Sequence, residues 1–409
     1  MTLRLAARET VCDDCEPVIR ILTFSTLYPN AARPGHGPFV EHRLRQLLGT
    51  GEVASTVVAP VPWFPSRNPL FGEYAGFAAA PHEETRHGIH VLHPRYPVIP
   101  KIGMNLAPAL LERFSRRAVA EVLNNDPAIR LLDAHYFYPD GVAAAMLGER
   151  MGLPVFITAR GTDINLIPEY ARPRRRILWA AERAAGIITV CSALKDTLVE
   201  MGVDGSKITV LRNGVDFDLF SPVPETQARA QTGMEANTLL SVGLLIERKG
   251  HHLIIEALSE LPGVRLVIVG DGPQRGALEA LASRLEVAER VHFAGRIPQD
   301  QLPAYYSAAN ALILASSREG MANVLLESLA CGTPVVATPL WGTPEVVADP
   351  AAGVLMQDRS AASIVSGVRQ LFDNYPLPAD TLSYSKRFSW DDTSRGQIKL
   401  FDRVKSPIA

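Results

Sequence analysis

Short runs of apolar, often β-branched residues alternate with longer amphipathic segments along almost the whole chain. In the first half, runs that predict strands lie at residues 18–25, 56–61, 89–93, 130–135, 155–160, 186–191 and 208–213. The segments with a helical period lie at residues 39–48, 106–123, 141–151, 174–185 and 193–201.

The second half repeats this rhythm. Its predicted strands lie at residues 238–243, 265–270, 291–295, 311–316 and 334–338, and its predicted helices at 252–261, 275–285, 302–309, 323–330, 361–374 and 390–404. Alternation of strands and helices predicts parallel sheets covered by helices on both faces. We therefore expect an α/β fold in which two doubly wound, Rossmann-like domains face each other across a cleft.

The length of 409 residues also favours two domains, because a chain of this size exceeds one ordinary core. Prolines in the segment Ser221-Pro-Val-Pro224 break regular structure between the two blocks. We predict an N-terminal extension at 1–17 that is disordered, a first domain at 18–215, a second domain at 216–385, and a C-terminal helix at 386–409.

Composition places the chain among ordinary globular proteins, since 47% of its residues are hydrophobic. A net charge of −2 gives no reason to expect a nucleic-acid partner. No apolar run reaches the roughly 18 residues that span a bilayer, and residues 1–20 lack the apolar core of a signal peptide. Cys12 and Cys15 form an isolated C-x-x-C, too little for a zinc site. We expect a cytoplasmic location.

Ligands of doubly wound sheets bind beyond the carboxyl ends of the strands. The most informative loop there contains Glu319, at the end of a predicted strand, and Glu327, one turn inside a predicted helix. The first turn of that helix exposes backbone N–H groups that attract phosphate, and both carboxylates can accept hydrogen bonds from hydroxyls. The small residues Gly320 and Ala322, with Asn323 near the helix start, allow a ligand to approach the backbone closely. The pattern therefore predicts a site for a sugar joined to a nucleotide through a diphosphate. The alternative is an ordinary strand–loop–helix with solvated acids.

A second loop, after the predicted strand 238–243, carries Gly243, Arg248, Lys249 and Gly250. A diphosphate that leaves as a glycosidic bond breaks gains negative charge, and fixed cations stabilise that charge. The alternative is a solvated basic turn.

Two further loops contain paired glycines. Gly270 and Gly272 follow the strand 265–270 and would let a base or ribose pack closely, although Asp271 between them could simply cap a helix. Gly35 and Gly37 follow the first strand and would bring backbone N–H groups to the opposite wall of the cleft, unless this loop is a flexible connection. Neither loop has the G-x-G-x-x-G fingerprint of dinucleotide-binding proteins.

Polar residues also follow two strands of the first domain. His135 could bond a sugar hydroxyl, Asp163 could do the same or assist an acceptor, and Arg160 precedes Asp163 by three positions. A structural role is the alternative for His135. Asp216 and Asp218 match the D-x-D of metal-dependent sugar transferases, but a turn is the better interpretation.

Two arginine clusters lie in the first domain, and each is either a solvated face or a surface attracted to an anionic membrane. They are Arg113, Arg116 and Arg117, and Arg172, Arg174, Arg175 and Arg176.

Taken together, these segments resemble the retaining glycosyltransferases of family 4, which have the GT-B fold. The resemblance extends over roughly residues 19–403 and is most specific in Glu319-Gly-Met-Ala-Asn-Val-Leu-Leu-Glu327. Supporting pieces are Ala330-Cys-Gly-Thr-Pro-Val-Val336, Asn213-Gly-Val-Asp216, Arg248-Lys-Gly250, Gly270-Asp-Gly-Pro273 and the loop that contains Gly35. Among subgroups, the chain is most similar to enzymes that build surface or extracellular polysaccharides.

The resemblance implies roles for individual residues. Glu327 would hold the ribose hydroxyls, Glu319 would contact the transferred sugar, Lys249 would bind the diphosphate, and His135 would touch the donor sugar. Backbone amides of Gly320, Met321, Ala322, Asn323 and Val324 would complete the donor site. The family usually has an arginine directly after the glycine of its Val-Gly-Arg strand end; here that position is Leu244, and Arg248 is the candidate to supply the charge.

The implied reaction moves a sugar from a nucleotide diphosphate sugar to a glycan or lipid-linked acceptor, with anomeric retention and without a cofactor or metal. In the front-face path described for the family, the leaving phosphate helps to deprotonate the acceptor. Alternatives are a nucleotide-sugar epimerase or glycan phosphorylase of the same architecture, and a donor-binding subunit of a membrane assembly complex that has lost catalysis. A nicotinamide dehydrogenase is disfavoured because its glycine fingerprint is missing.

Overall fold

The structure, a computed structural model, describes residues 18–98 and 103–404. The predicted extension at 1–17, with Cys12 and Cys15, lies outside the described residues. Over the described part of the chain, no helix combines the length and apolarity that a bilayer crossing requires.

The first domain is built on an eight-stranded sheet with the order β10-β9-β8-β7-β1-β2-β5-β4, in which only β4 is antiparallel to its neighbour. A small second ladder joins β3 to β6. The strands are β1 Ile19–Phe24, β2 Val53–Val58, β3 Val61–Pro62, β4 Glu83–Arg86, β5 Ile89–Leu92, β6 Arg95–Tyr96, β7 Ile129–His135, β8 Val155–Ala159, β9 Gly186–Thr189 and β10 Ile208–Val210.

Seven α-helices accompany these strands and cover both faces of the sheet, so the central strands β1, β7 and β8 are buried. The helices are α1 Pro38–Leu48, α2 Glu73–Ala79, α3 Gly103–Asn125, α4 Val142–Met151, α5 Thr162–Asn165, α6 Ala171–Arg183 and α7 Ser192–Glu200.

The second domain has a six-stranded parallel sheet with the order β13-β12-β11-β14-β15-β16. Its strands are β11 Thr238–Val242, β12 Arg265–Val269, β13 Val291–Gly295, β14 Ala311–Leu314, β15 Val335–Ala337 and β16 Gly353–Leu355. Its helices are α8 Glu225–Thr232, α9 His251–Ala257, α10 Arg275–Arg284, α11 Leu302–Ala308, α12 Asn323–Ala330, α13 Thr343–Val346, α14 Ala361–Asp373 and α15 Pro378–Ser385.

The last helix, α16 Trp390–Asp402, returns to the first domain. Phe401 packs edge-to-face on Phe156 of β8, with 5.1 Å between ring centroids. Ile398 and Phe401 belong to the same buried cluster as Ile19 and Leu131 of the first sheet. The apolar face of α16 therefore completes the core of the first domain.

The prediction of two doubly wound α/β domains is confirmed. All twelve predicted strands are present, most of them one to three residues shorter than predicted, because the polar ends of the runs lie in loops. The sequence analysis missed β3, β4, β6 and β16, and the short helices α2, α5, α8, α13 and α15. These elements are too short for a periodic pattern of apolar residues to stand out.

Candidate active site

A cleft of about 660 Å³ lies between loops of the two domains. The first domain contributes residues 32–36, after β1, and the second contributes residues beyond β11, β12 and β13. Gly35, Gly243 and Gly270 all line this cleft, so the structure brings together three of the predicted glycines. The position at the carboxyl ends of parallel strands is where doubly wound sheets bind ligands.

Glu319 lies beyond β14 and pairs with both predicted cations. Its Oε1 accepts from Lys249 Nζ at 2.7 Å and lies 3.4 Å from Arg248 Nη1. Burial disfavours ionisation of this carboxyl, but the two neighbouring cations lower its pKa below the ordinary value of a glutamate. Glu319 is therefore an ionised carboxylate in a partly buried cluster of opposite charges.

Arg248 is also fixed by a hydrogen bond of 2.6 Å from Nη1 to the carbonyl oxygen of Arg318. Leu244, at the position where the family has an arginine, is 55% exposed at the edge of the cleft. Arg248 thus places its charge beside Glu319, and its role as a substitute for that arginine stays a prediction.

The backbone of Gly320 lies directly against the first domain. A Cβ atom at Gly320 would fall 1.9 Å from the carbonyl oxygen of Arg160 and 3.1 Å from the Cα of Gly161, so a side chain there would force the domains apart. Asn165 Nδ2 donates to the carbonyl oxygen of Glu319 at 3.1 Å. The glycine therefore permits the close domain contact beside which Glu319 lies.

Helix α12 begins at Asn323, and the preceding residue, Ala322, has no side chain that can cap it. Asn323 Oδ1 instead accepts from Asn213 Nδ2 of the first domain at 2.9 Å. Met321 and Ala322 are buried and Val324 is partly buried. The start of α12 therefore carries the partial positive charge of a helix N-terminus without a side-chain cap of its own.

Glu327 projects from the second turn of α12 and accepts a hydrogen bond of 2.7 Å from the hydroxyl of Tyr306 on α11. Burial raises the pKa of Glu327 to about 7, although the bond from Tyr306 favours the ionised form. This carboxyl can change its charge near neutral pH.

His135 does not line the cleft as predicted, because its side chain is only 1% exposed. Nδ1 lies 2.8 Å from Arg160 Nη2, which can only donate, so Nδ1 accepts. Nε2 lies 3.2 Å from Asp133 Oδ2 and supplies the proton of that contact. Both ring nitrogens are thus engaged within the protein, and the predicted contact of the imidazole with a sugar hydroxyl stays a prediction.

Asp163 also differs from the prediction. Its carboxylate is fully buried and accepts from the backbone N–H groups of Phe137, Arg160 and Gly161 at 2.6–3.1 Å. The side chain therefore shapes the loop after β8 and does not face an acceptor.

Arg160 is mostly buried; besides His135, it donates from Nη1 to Asn213 Oδ1 at 3.1 Å. Because Asn213 in turn bonds Asn323, Arg160 belongs to a polar chain that reaches the start of α12.

Two other predicted glycines serve local packing. A Cβ atom at Gly37 would lie 2.4 Å from the carbonyl oxygen of Leu27, and one at Gly272 would lie 2.6 Å from that of Leu245. Gly37, Gly272 and the residues of the Glu319 ion cluster are not among those that line the 660 Å³ cleft, so the predicted contacts of the two glycines with a ligand or the opposite wall stay predictions. Asp216 Oδ1 accepts from the N–H groups of Asp218 and Leu219, so this D-x-D forms a turn.

The sequence analysis missed three polar side chains near this site. They are Tyr306, the partner of Glu327; Asn213, which bonds both Arg160 and Asn323; and Asp140, whose carboxylate accepts from the N–H of Thr26 at 2.7 Å. Burial raises the pKa of Asp140 to about 7. Asn213 and Asp140 lie in segments noted for their other residues, whereas nothing in the pattern distinguishes Tyr306 from a core aromatic residue.

Two family models match the chain in succession. Residues 73–219 match Glycosyltransferase Family 4, and residues 223–388 match Glycosyl transferases group 1. The two matches together contain nearly all of the loops described above.

Two relatives of known sequence are both named as glycosyltransferases. The chain is 30% identical over 313 residues to a D-inositol 3-phosphate glycosyltransferase of Acidothermus cellulolyticus, covering 69% of each chain. It is 29% identical over 339 residues to TuaC of Bacillus subtilis (strain 168), named for teichuronic acid biosynthesis, covering 79% of this chain and 82% of the relative.

Solved structures show the same fold at low identity. Sucrose-phosphate synthase from Thermosynechococcus elongatus superposes with a TM-score of 0.75 at 18% identity, covering 95% of this chain and 99% of the other. Anabaena HepE in complex with UDP-glucose gives 0.68 at 20% identity, with 94% and 98% covered.

Proposed function

We propose, from the premise that this chain belongs to glycosyltransferase family 4 and has the GT-B fold, that it transfers a sugar from a nucleotide diphosphate sugar to a glycan or lipid-linked acceptor. The observation that carries the proposal is the ion cluster of Glu319 with Lys249 and Arg248. It follows β14 and leads directly into the uncapped start of α12. Two cations and a helix N-terminus together favour a dianionic leaving group.

The donor would lie along α12, from its N-terminus towards Glu327. The diphosphate would contact Lys249, Arg248 and the amides that begin the helix. The ribose hydroxyls would donate to Glu327, about one turn farther along. The ligand named in the Anabaena HepE complex, UDP-glucose, supports this donor class.

We propose that the sugar is transferred with retention of anomeric configuration by the front-face path. Glu319 pairs with two cations, which lower the basicity of its carboxylate, so it would orient the transferred sugar and balance charge near the reaction centre rather than attack the sugar. The leaving phosphate would accept the acceptor's proton. Catalysis would then rest on positioning and fixed charge.

A divalent metal is unnecessary in this proposal, because the two cations and the helix N-terminus supply the positive charge that a metal would supply. The names of the relatives support an acceptor used in building cell-surface or extracellular polysaccharide, since TuaC is named for teichuronic acid and WaaG for lipopolysaccharide biosynthesis.

The test uses the purified full-length protein with a panel of nucleotide diphosphates and nucleotide sugars. A ligand that binds the folded state raises the thermal midpoint, and the best donor is then incubated with candidate acceptors. We expect an extended acceptor, with unchanged turnover in EDTA. Free epimerised sugar, or sugar phosphate formed from a glycan, would identify the rival enzymes. Donor binding with neither hydrolysis nor transfer on any acceptor would identify a non-catalytic subunit.

A further inference from the structure

We propose that one face of the first domain docks on an anionic lipid bilayer. This docking face consists of the segment 63–77, residues 103–117 of α3, and residues 170–176 at and just before the start of α6. None of its residues belongs to the ion cluster of Glu319, Lys249 and Arg248. The face can therefore bind a bilayer whether or not the protein transfers a sugar as proposed above.

Large apolar side chains are unusually exposed on the docking face. Leu70 is 90% exposed and Trp63 is 57% exposed, and the remaining members are between 39% and 52% exposed. These are Phe71, Tyr74, Met104, Leu106, Phe114 and Tyr170. A contiguous apolar area of this kind marks an interaction site rather than ordinary surface.

The apolar residues of segment 63–77 are held in a built cluster. The ring of Phe64 lies 5.3 Å from that of Phe71 and 5.2 Å from that of Tyr74, and Tyr74 contacts Phe77 at 6.0 Å. These contacts fix the aromatic rings, so their exposed edges form a lasting surface. Aromatic residues of this type are enriched where proteins meet the interfacial region of membranes.

The three parts of the docking face adjoin one another. Segment 63–77 contains most of α2, and Arg95 of β6 donates to the carbonyl oxygen of Phe77 at 3.1 Å. The strand β6 packs on α3, and the turn at residues 137–141 contacts both α3 and α6. Within this turn, the hydroxyl of Tyr138 donates to the carbonyl oxygen of Met104. Helices α3 and α6 also contact each other, so the parts of the docking face are neighbours.

Arginines surround the apolar residues. Of those on α3 and α6, Arg113, Arg117, Arg172, Arg174 and Arg175 are exposed and Arg116 and Arg176 partly so. None of the seven forms an ion pair with another described residue. Acids on α3, on α6 and just before α6 are fewer: Glu112 is buried and paired with Arg150, whereas Glu121, Glu169 and Glu182 are exposed. The exposed apolar side chains can insert at the level of the acyl chains, and the surplus of arginines can contact anionic headgroups. Each basic residue near an anionic membrane surface favours binding.

The docking face also reaches the cleft. The guanidinium of Arg33 lies 4.5 Å over the ring of Phe77, and Arg33 lines the cleft between the domains. A bilayer on this face would therefore lie beside the first-domain wall of the cleft, where a lipid-anchored acceptor could enter.

The experiment is flotation of the full-length protein with phosphatidylcholine vesicles, with and without phosphatidylglycerol. We expect binding to the anionic vesicles and weak binding to the neutral ones. Leu70→Glu combined with Phe71→Glu, and separately Arg113→Glu combined with Arg117→Glu, should each lower the partition coefficient at least tenfold. Matched controls on the second domain are Leu377→Glu, at a residue 67% exposed, and Arg284→Glu, at an exposed arginine of α10; both should bind as the wild type does.

Thermal midpoints within a few degrees of the wild type would show that the variants fold. The proposal is overturned if anionic vesicles do not bind the protein, or if the docking-face variants float as the controls do. Analytical ultracentrifugation tests whether a second copy of the chain covers this face instead. If the wild type is a dimer that does not bind vesicles, and Leu70→Glu with Phe71→Glu converts it to monomers, the face is a dimer interface.

Discussion

At the scale of single residues, the charge of Glu319 has the clearest physical consequence. Its carboxylate lies within 3.4 Å of two cations, and the same cations are the groups that a diphosphate would contact. Glu319 therefore both orients Lys249 and offsets one of the two positive charges of the cluster before the donor binds. Glutamine, the neutral isostere of glutamate, would keep the shape of this side chain and remove its charge.

Glu319→Gln should reduce kcat by about 100–1000-fold, because a charge placed beside the reaction centre is worth several kcal/mol there. Donor binding should change less than kcat, since Lys249 and Arg248 remain. The control is Glu279→Gln, which removes an exposed carboxylate paired with Arg275 on α10. Turnover at the wild-type rate would contradict the role of Glu319.

The raised pKa of Glu327 predicts that donor binding depends on pH. Burial raises its pKa to about 7, so it is mostly protonated at pH 6 and mostly ionised at pH 8. Because the ionised form accepts two ribose hydroxyls, the donor KM should fall as the pH rises through about 7. Steady-state kinetics between pH 6 and 8 measure this effect.

Glu327→Gln should raise the donor KM and remove that part of its pH dependence. Tyr306→Phe removes the hydrogen bond that favours ionisation, so the midpoint should move to higher pH. An unchanged midpoint in Tyr306→Phe would show that another group, such as Asp140, controls the profile.

At the scale of elements, helix ends join the two domains. Besides the contact of Asn213 with Asn323, Glu345 of α13 accepts from the backbone N–H of Ser192, the first residue of α7, at 2.5 Å, and from Arg212 at 2.6 Å. A carboxylate at a helix N-terminus is favourable because of the unpaired N–H groups and the helix dipole. Here the helix and the carboxylate belong to different domains, so the cap holds the domains together.

Glu345→Ala should weaken the domain contact by about 1–2 kcal/mol. If the donor needs both walls of the cleft, its KM should rise roughly tenfold, with an increase in the radius of gyration measured by X-ray scattering. Glu256→Ala, at an exposed position on α9, is the control. A variant with wild-type KM and radius of gyration would show that this contact is dispensable.

At the scale of the whole molecule, α16 joins the end of the chain to the interior of the first domain. Gln397 accepts from Arg43 Nε of α1 at 3.1 Å and donates to Asp133 Oδ2 of β7 at 3.0 Å. From Asp133 the buried chain of polar contacts continues through His135 and Arg160 to the second domain. Gln397, on the last helix, thus supplies a hydrogen-bond partner to two buried charged residues, Arg43 and Asp133.

Gln397→Ala should destabilise the protein by about 2–3 kcal/mol, because Arg43 and Asp133 each lose a buried partner. For a domain of this size, the thermal midpoint should fall by roughly 5–10 °C. Lys399→Ala, two positions along on the exposed side of α16, should leave the midpoint within about 1 °C. Equal midpoints for both variants would show that Gln397 stabilises nothing.

The sequence by itself determined the two-domain α/β architecture and the strands that carry the site. Both follow from local periodicity, which depends only on neighbours in the chain. It also determined that Glu319, Lys249 and Arg248 belong to one site, because loops at the carboxyl ends of parallel strands must meet at one edge.

Only the tertiary structure decided which polar residues are exposed. His135, Asp163 and Arg160 follow strands just as Glu319 does, yet they are buried. Side chains from distant parts of the chain take part in this burial, since Asn213 accepts from Arg160 and Gln397 donates to Asp133, the partner of His135. The sequence shows the arginine clusters of the docking face but does not distinguish its apolar residues. Leu70 and Phe71 look like core residues until the fold shows that nothing covers them, since burial depends on contacts between segments that local periodicity does not encode.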